Sequence, residues 1–101
     1  MKLAICADGE YMTSRYCPDF EKCEFLIIYD TVTRQYASRK SPSVHSKRAE
    51  DLINFLKAVM IKNVITGKDI NDSYFKVFKI NEKDLSVEDV IIRFLNQKNK
   101  K

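Results

Sequence analysis

The spacing of apolar residues changes after Ser41-Pro42, and this change constrains the fold more than any other feature of the sequence. Before it, short apolar or alternating runs predict three strands, over residues 2–7, 24–29 and 35–40. After it, apolar residues recur at intervals of three and four between Ala49 and Met60. That spacing predicts a helix that starts near Lys47 and has Ser46 as its N-cap. The chain is therefore expected to begin with a meander of strands that a helix then covers.

The remaining third of the chain predicts two more strands and a second helix. Residues 63–66 and 74–80 have strand character, and Gly67 ends the first of these runs before a polar loop. Ser86 is a suitable N-cap for a helix whose apolar stripe begins at Val87. This order of elements predicts an α/β fold with a five-stranded mixed sheet, in which an antiparallel meander is followed by a parallel crossover, flanked by helices.

In a sheet of this topology, strands one, three and four run in the same direction, so their carboxyl ends share one edge. Ligands of α/β proteins commonly bind at such an edge. The topology is expected to gather Asp8, residues 17–23, His45 and residues 67–73 there. We therefore expect any binding site of the domain at this edge.

The length and composition are those of one small domain. A chain of 101 residues is sufficient for one layered core, and we expect a single domain over 1–97 followed by a basic tail over 98–101. Three cysteines is an odd number, and the first apolar run is too short for a secretion signal, which favours a reducing, cytoplasmic location. No stretch is long enough to span a membrane, so we expect no membrane partner.

Two of the three cysteines flank a carboxylate between the first two predicted strands. Cys17, Asp19 and Cys23 lie in this segment, and thiolates select soft metal sites such as iron–sulfur clusters, zinc or copper(I). The Cys-x5-Cys spacing is wider than the Cys-x2-Cys spacing typical of metal sites. The segment therefore indicates soft-metal chemistry, with unreactive thiols as the alternative interpretation.

Several segments of the chain follow one another in an order that matches a known family. They are Lys2-Leu3-Ala4-Ile5 with Asp8-Gly9, Cys17-Pro18-Asp19-Phe20-Glu21 leading into Phe25-Leu26-Ile27-Ile28-Tyr29-Asp30, Ser41-Pro42, Val64-Ile65-Thr66-Gly67, and Ser86-Val87-Glu88-Asp89. In this order the chain resembles the dinitrogenase iron-molybdenum cofactor biosynthesis family over nearly its whole length. The resemblance implies a small domain of ribonuclease H-like topology that binds or carries iron–sulfur and iron–molybdenum cofactors or their precursors.

The resemblance implies a non-enzymatic domain that exchanges a metal cofactor with a donor or acceptor protein. On this interpretation Cys17 and Cys23 supply thiolates to the metal, and Asp19 or His45 completes the cofactor site. At the first loop the family has Ser-x-His-Phe-Gly, and this chain has Cys17, Asp19 and Glu21 in place of the serine, histidine and glycine. The alternative is therefore a domain of the same fold that has lost the cluster site and acts as a non-catalytic protein-interaction or regulatory domain.

The sequence also permits three other kinds of site, each with a simpler structural explanation. Asp8, Glu50 and Asp69 are candidate ligands for the metal ions of a nuclease, but Glu50 lies off the sheet-facing stripe of its helix, and solvated carboxylates explain all three. A loop cysteine with His45 could form a nucleophile and base, but nothing fixes a third member. The basic residues that could bind phosphates are Arg34, Arg39, Lys40, Lys47 and Arg48. A solvated basic face accounts for them, so we do not expect a nucleic acid partner.

Overall fold

The computed structural model describes residues 1–42 and 49–99. These residues form five strands, two α-helices and a short 3₁₀ helix. In chain order the elements are β1 (Lys2–Ala7), the 3₁₀ helix (Phe20–Lys22), β2 (Phe25–Asp30), β3 (Tyr36–Lys40), α1 (Ala49–Ala58), β4 (Asn63–Thr66), β5 (Lys76–Lys79) and α2 (Val87–Asn99). The strands make one sheet in the order β3-β2-β1-β4-β5, with β1 at its centre.

The strand directions confirm the predicted topology. β1 pairs with β2 and β2 with β3 in antiparallel fashion, whereas β4 is parallel to both β1 and β5. The sheet is therefore a mixed one, with an antiparallel meander followed by a parallel crossover. The fifth strand is shorter than the predicted 74–80, because the backbone amides of Tyr74 and Phe75 bond to the side chain and the carbonyl of Asp72 in a turn.

Alternation along β1 divides the core into two layers. Leu3, Ile5 and Ala7 pack in the layer under α2, whereas Ala4 and Cys6 pack in the layer under α1. The helices contribute Val87, Val90 and Ile91 from α2, and Leu52 and Leu56 from α1. The sheet is thus covered on both faces, as expected for a central strand that is apolar on both sides.

The helix ends follow from local sequence. Ser86 and Asp89 form a reciprocal capping pair at the start of α2, in which each backbone amide bonds to the other side chain. At the end of α1 the Ile61 amide bonds to the Leu56 carbonyl, which closes a Schellman motif with Met60 in the left-handed region. The predicted N-cap of α1, Ser46, lies outside the described residues. No helix in the described part of the chain is long and apolar enough to cross a membrane.

Candidate functional site

The chain that follows β1 folds back along the end of that strand. The amide of Asp8 donates to the carbonyl of Arg15 at 2.9 Å, and the amide of Cys17 donates to the carbonyl of Cys6, also at 2.9 Å. Residues 8–17 therefore form a loop that folds back antiparallel to the end of β1. As a result, Cys17 lies directly beside the central strand.

The same segment then reaches the end of β4. The carbonyl oxygen of Pro18 accepts a hydrogen bond from the Gly67 amide at 2.9 Å and another from the Thr66 hydroxyl at 3.1 Å. A Cβ atom on Gly67 would lie 2.7 Å from the Cβ of Pro18, so only glycine permits this approach. The two loops that the topology assigned to one edge of the sheet do meet there.

The thiols of Cys17 and Cys23 are buried at this edge and engaged in hydrogen bonds. Cys17 is 9% exposed and its Sγ lies 3.3 Å from the Asp19 carbonyl oxygen. Cys23 is fully buried and its Sγ lies 2.9 Å from the Phe25 carbonyl oxygen. Burial raises the pKa of Cys17 to about 11, so its thiol is protonated at neutral pH. The geometry has each thiol donating a hydrogen bond to a backbone carbonyl oxygen.

The third cysteine joins the same group. Cys6 lies on β1 with its side chain in the α1 layer, which also contains Cys17 and Cys23. A hydrogen bond with the Cys23 thiol, together with burial, holds the pKa of the Cys6 thiol well above its ordinary value. As part of a short apolar strand, Cys6 has the sequence context of a small buried side chain. Nothing in the sequence indicated that Cys23 packs against it.

Asp19 lies between the two loop cysteines in sequence, and its carboxylate already has polar partners. Its carboxylate accepts a hydrogen bond from the Glu21 amide at 3.1 Å and so caps the 3₁₀ helix. It also lies 3.4 Å from the Lys68 ammonium and 3.9 Å from that of Lys22. The predicted ligand therefore also links the two loops by charge.

His45, the fourth predicted site residue, lies outside the described residues, as do Lys47 and Arg48 of the predicted basic group. The other three members are described. Arg34, Arg39 and Lys40 are all exposed on or beside β3, and the Arg39 guanidinium lies 4.2 Å from the ring centroid of Phe55 on α1. These cations therefore belong to the open edge of the sheet.

The described side chains do not form a ready metal site. Within residues 1–42 and 49–99, no group of three or more histidine, cysteine or carboxylate side chains is placed to hold a metal ion. Of the three candidate nuclease carboxylates, Asp8 and Glu50 are exposed, and Asp69 pairs with Lys79 at 2.9 Å. Cysteine sulfur is the kind of donor that an iron–sulfur cofactor requires, but the sulfur atoms as placed in this structure do not form a site that holds one.

Two adjoining clefts lie on the opposite layer, between β5 and α2, with volumes of about 330 and 370 Å³. Phe78 and Gln97 line both clefts, and Phe78 packs edge-on against Phe94 with ring centroids 5.4 Å apart. Neither cleft is lined by a cysteine or histidine. These clefts are therefore separate from the thiol group.

Comparisons with known proteins identify the fold. No protein-family model matches this chain, and no curated protein matches it. The apo form of the orange protein from Desulfovibrio gigas superposes with a TM-score of 0.79 at 18% identity, over 95% of this chain and 88% of that chain. The solution structure of a candidate NifB protein of the DUF35 family from Thermotoga gives a TM-score of 0.71 at 19% identity, over 94% and 87% of the two chains. At these identities the likeness establishes the shared fold alone.

Proposed function

We propose that this domain binds or carries a metal–sulfur cofactor, of the iron–sulfur or iron–molybdenum type, or a precursor of one. The observation that carries the proposal is the convergence of all three cysteines, Cys6, Cys17 and Cys23, in one layer at the edge where two loops meet. The two structural neighbours support the proposal, since one is described in an apo form and the other is named as a candidate NifB protein. The domain acts without catalysis and exchanges its cofactor with a partner protein.

Metal binding by the loop thiols has a clear physical requirement. Metal ligands must be thiolates, whereas Cys17 and Cys23 each donate a hydrogen bond to a carbonyl. Both thiols must lose their protons, and residues 17–23 must move away from the carbonyls that they contact. Cys6 lies within a paired strand, so it has less freedom to move than the loop cysteines. We therefore assign the ligand roles to Cys17 and Cys23, with Asp19 or His45 completing the set.

The test is anaerobic reconstitution of the purified protein with iron and sulfide, followed by measurement of bound iron and the visible absorption spectrum. Cys17→Ala and Cys23→Ala should each lose bound iron. Cys6→Ala removes the same atoms from the strand and is the matched control, which should keep its iron. Equal, substoichiometric iron in all four proteins would remove the carrier proposal.

The second candidate is a protein-interaction or regulatory domain that has no cluster. The observation that favours it is the burial of both loop thiols among apolar side chains, where structural cysteines normally lie. Such a domain should remain iron-free after reconstitution and should keep its folded circular dichroism spectrum throughout. The reconstitution experiment thus separates the two candidates directly.

A further inference from the structure

In the part of the chain that the structure describes, β3 forms one edge of the sheet. All five of its residues, Tyr36–Lys40, are exposed, and among residues 1–42 and 49–99 its one strand partner is β2. Hydrogen-bonded pairs flank it at both ends, because the Asp30 amide donates to the Gln35 carbonyl and the Ser41 amide donates to the Glu24 carbonyl.

Hydrogen-bonded and non-hydrogen-bonded pairs alternate in an antiparallel ladder. The amides and carbonyls of Ala37 and Arg39 therefore face β2, and those of Tyr36, Ser38 and Lys40 face away from the sheet. Three residues thus present backbone donors and acceptors in the alternating order that a further strand needs.

The charge along this edge is entirely of one sign. The twelve residues 31–42 contain Arg34, Arg39 and Lys40 but no aspartate or glutamate. None of the ion pairs between described residues involves these three cations. The contact of Arg39 with the Phe55 ring holds one of the cations beside the strand.

The opposite edge of the sheet, formed by β5, differs from β3 in its length and in its charge. β5 has four residues, and its Val77 and Phe78 are partly buried against the two layers of the core. Its terminal Lys79 is paired with Asp69 at 2.9 Å. The β5 edge is therefore short and partly neutralised, whereas the β3 edge is longer and cationic.

We propose that the β3 edge binds an extended acidic segment of a partner protein, which adds to the sheet as a sixth strand. Backbone hydrogen bonds supply affinity in this mode of recognition, and side chains on alternate residues supply selectivity. Carboxylates on one face of the segment would meet Lys40 and those on the other face would meet Arg39, because successive strand residues point to opposite faces, and Arg34 lies at the end of the edge. A second copy of this chain fits poorly, because it would bring six cations onto one shared edge. The edge would bind such a segment whether or not the domain carries a cofactor.

The test uses a synthetic heptapeptide in which glutamate alternates with valine, titrated into ¹⁵N-labelled protein. Amide resonances of Tyr36, Ser38 and Lys40 should shift, and the shifts should saturate below ~1 mM peptide at low salt. Two control peptides share its length. One is N-methylated on alternate amides and keeps the charge, and the other has lysine in place of glutamate. The N-methylated peptide should bind at least ~5-fold more weakly, which corresponds to the loss of one hydrogen bond or more. The lysine peptide keeps these hydrogen bonds and should bind at least ~5-fold more weakly because like charges repel.

Variants of the protein locate the contact. Ser38→Pro removes one outward amide at a position where edge strands tolerate proline, and should weaken binding at least ~5-fold. Arg34→Gln with Lys40→Gln leaves the backbone intact and should also weaken binding. Lys76→Gln with Lys79→Gln is the matched control on the β5 edge and should bind normally.

Several outcomes would overturn the proposal. These are an absence of shifts at ~1 mM peptide, equal binding of the N-methylated or lysine peptide, and shifts confined to the clefts between β5 and α2. Concentration-dependent self-association through β3, measured by sedimentation, would instead identify a second copy as the occupant.

Discussion

The backbone amide of Cys17 donates a hydrogen bond to the carbonyl oxygen of Cys6 at 2.9 Å, so the loop that carries two cysteines is fastened to the central strand that carries the third. This bond places the Cys17 thiol in the layer under α1 rather than in solvent. The accessibility of the Cys17 and Cys23 thiols therefore depends on how stably residues 17–23 pack against the sheet.

The metal-free protein should lose stability in alkaline solution through its thiols. Burial raises the pKa of Cys17 from 9.0 to about 11, so between these values the unfolded chain releases a proton that the folded chain keeps. The contribution of Cys17 to the free energy of unfolding is fully present below about pH 9 and is lost as the pH rises to about 11. Urea unfolding at several pH values measures this loss.

Cys17→Ala is the control for that prediction. Burial also raises the pKa of Tyr16, and the pKa of Cys6 is raised, so both groups weaken the fold in the same direction at high pH. The variant should therefore still lose stability, but along a shallower curve than the wild type. Parallel curves for the two proteins would contradict the role assigned to Cys17.

Gly67→Ala should destabilise the junction of the two loops. The added Cβ would lie 2.7 Å from the Pro18 Cβ and 2.9 Å from the Asn81 side-chain oxygen, so the backbone must shift. We expect a loss of about 1–3 kcal/mol in the free energy of unfolding, measured by urea titration. In a Pro18→Gly background the same change should cost less, because one of the close contacts is gone. An equal cost in both backgrounds would mean that Pro18 is not part of the constraint.

Tyr16→Phe should cost about 1–2 kcal/mol of stability, because it leaves the Ile80 carbonyl without its donor. The Tyr16 hydroxyl is buried and donates to this carbonyl at 2.7 Å, across 64 positions of sequence. Tyr11→Phe makes the same change at a side chain that is 63% exposed and should have no measurable effect. Equal effects of the two changes in thermal unfolding would show that the hydrogen bond contributes nothing.

Met60→Gly should stabilise the protein by about 0.5–1 kcal/mol. Met60 follows the end of α1 with a φ of 60° and is 80% exposed, so its side chain contributes little packing in a conformation that suits glycine. Met60→Ala retains the Cβ and should give no gain. If both variants unfold at the same denaturant concentration, the left-handed backbone is not a source of strain.

The fold follows from the sequence because its signals are local. The short apolar run Lys2–Ala7, the apolar stripe of α2 and the capping pair at Ser86 each depend on residues close together in the chain. The handedness of crossover connections then predicts that β4 runs parallel to β1, whereas the strand order, with β1 between β2 and β4, was not predicted. The same rule predicted that the ends of β1 and β4 share an edge, which the contacts of Pro18 with Gly67 confirm.

The site was harder to predict, because the depth of a side chain depends on distant contacts. Cys17 and Cys23 were identified as candidates by residue type, but their burial results from residues 8–17 folding back on β1 and from the packing of Phe20 beneath α1. Nothing near Cys6 in the sequence signals its contact with Cys23. The ligand role of Cys17, Asp19, Cys23 and His45 remains a prediction.

Because the Pro18 carbonyl accepts two hydrogen bonds from the end of β4, the hydrogen bonding at that end of the strand reports whether the loop is in place. If residues 17–23 detach, the amide of Gly67 loses its acceptor and becomes free to exchange with solvent deuterium, whatever caused the detachment. The exchange rate of that single amide therefore measures how often the sulfur atoms become accessible, before any ligand has been found.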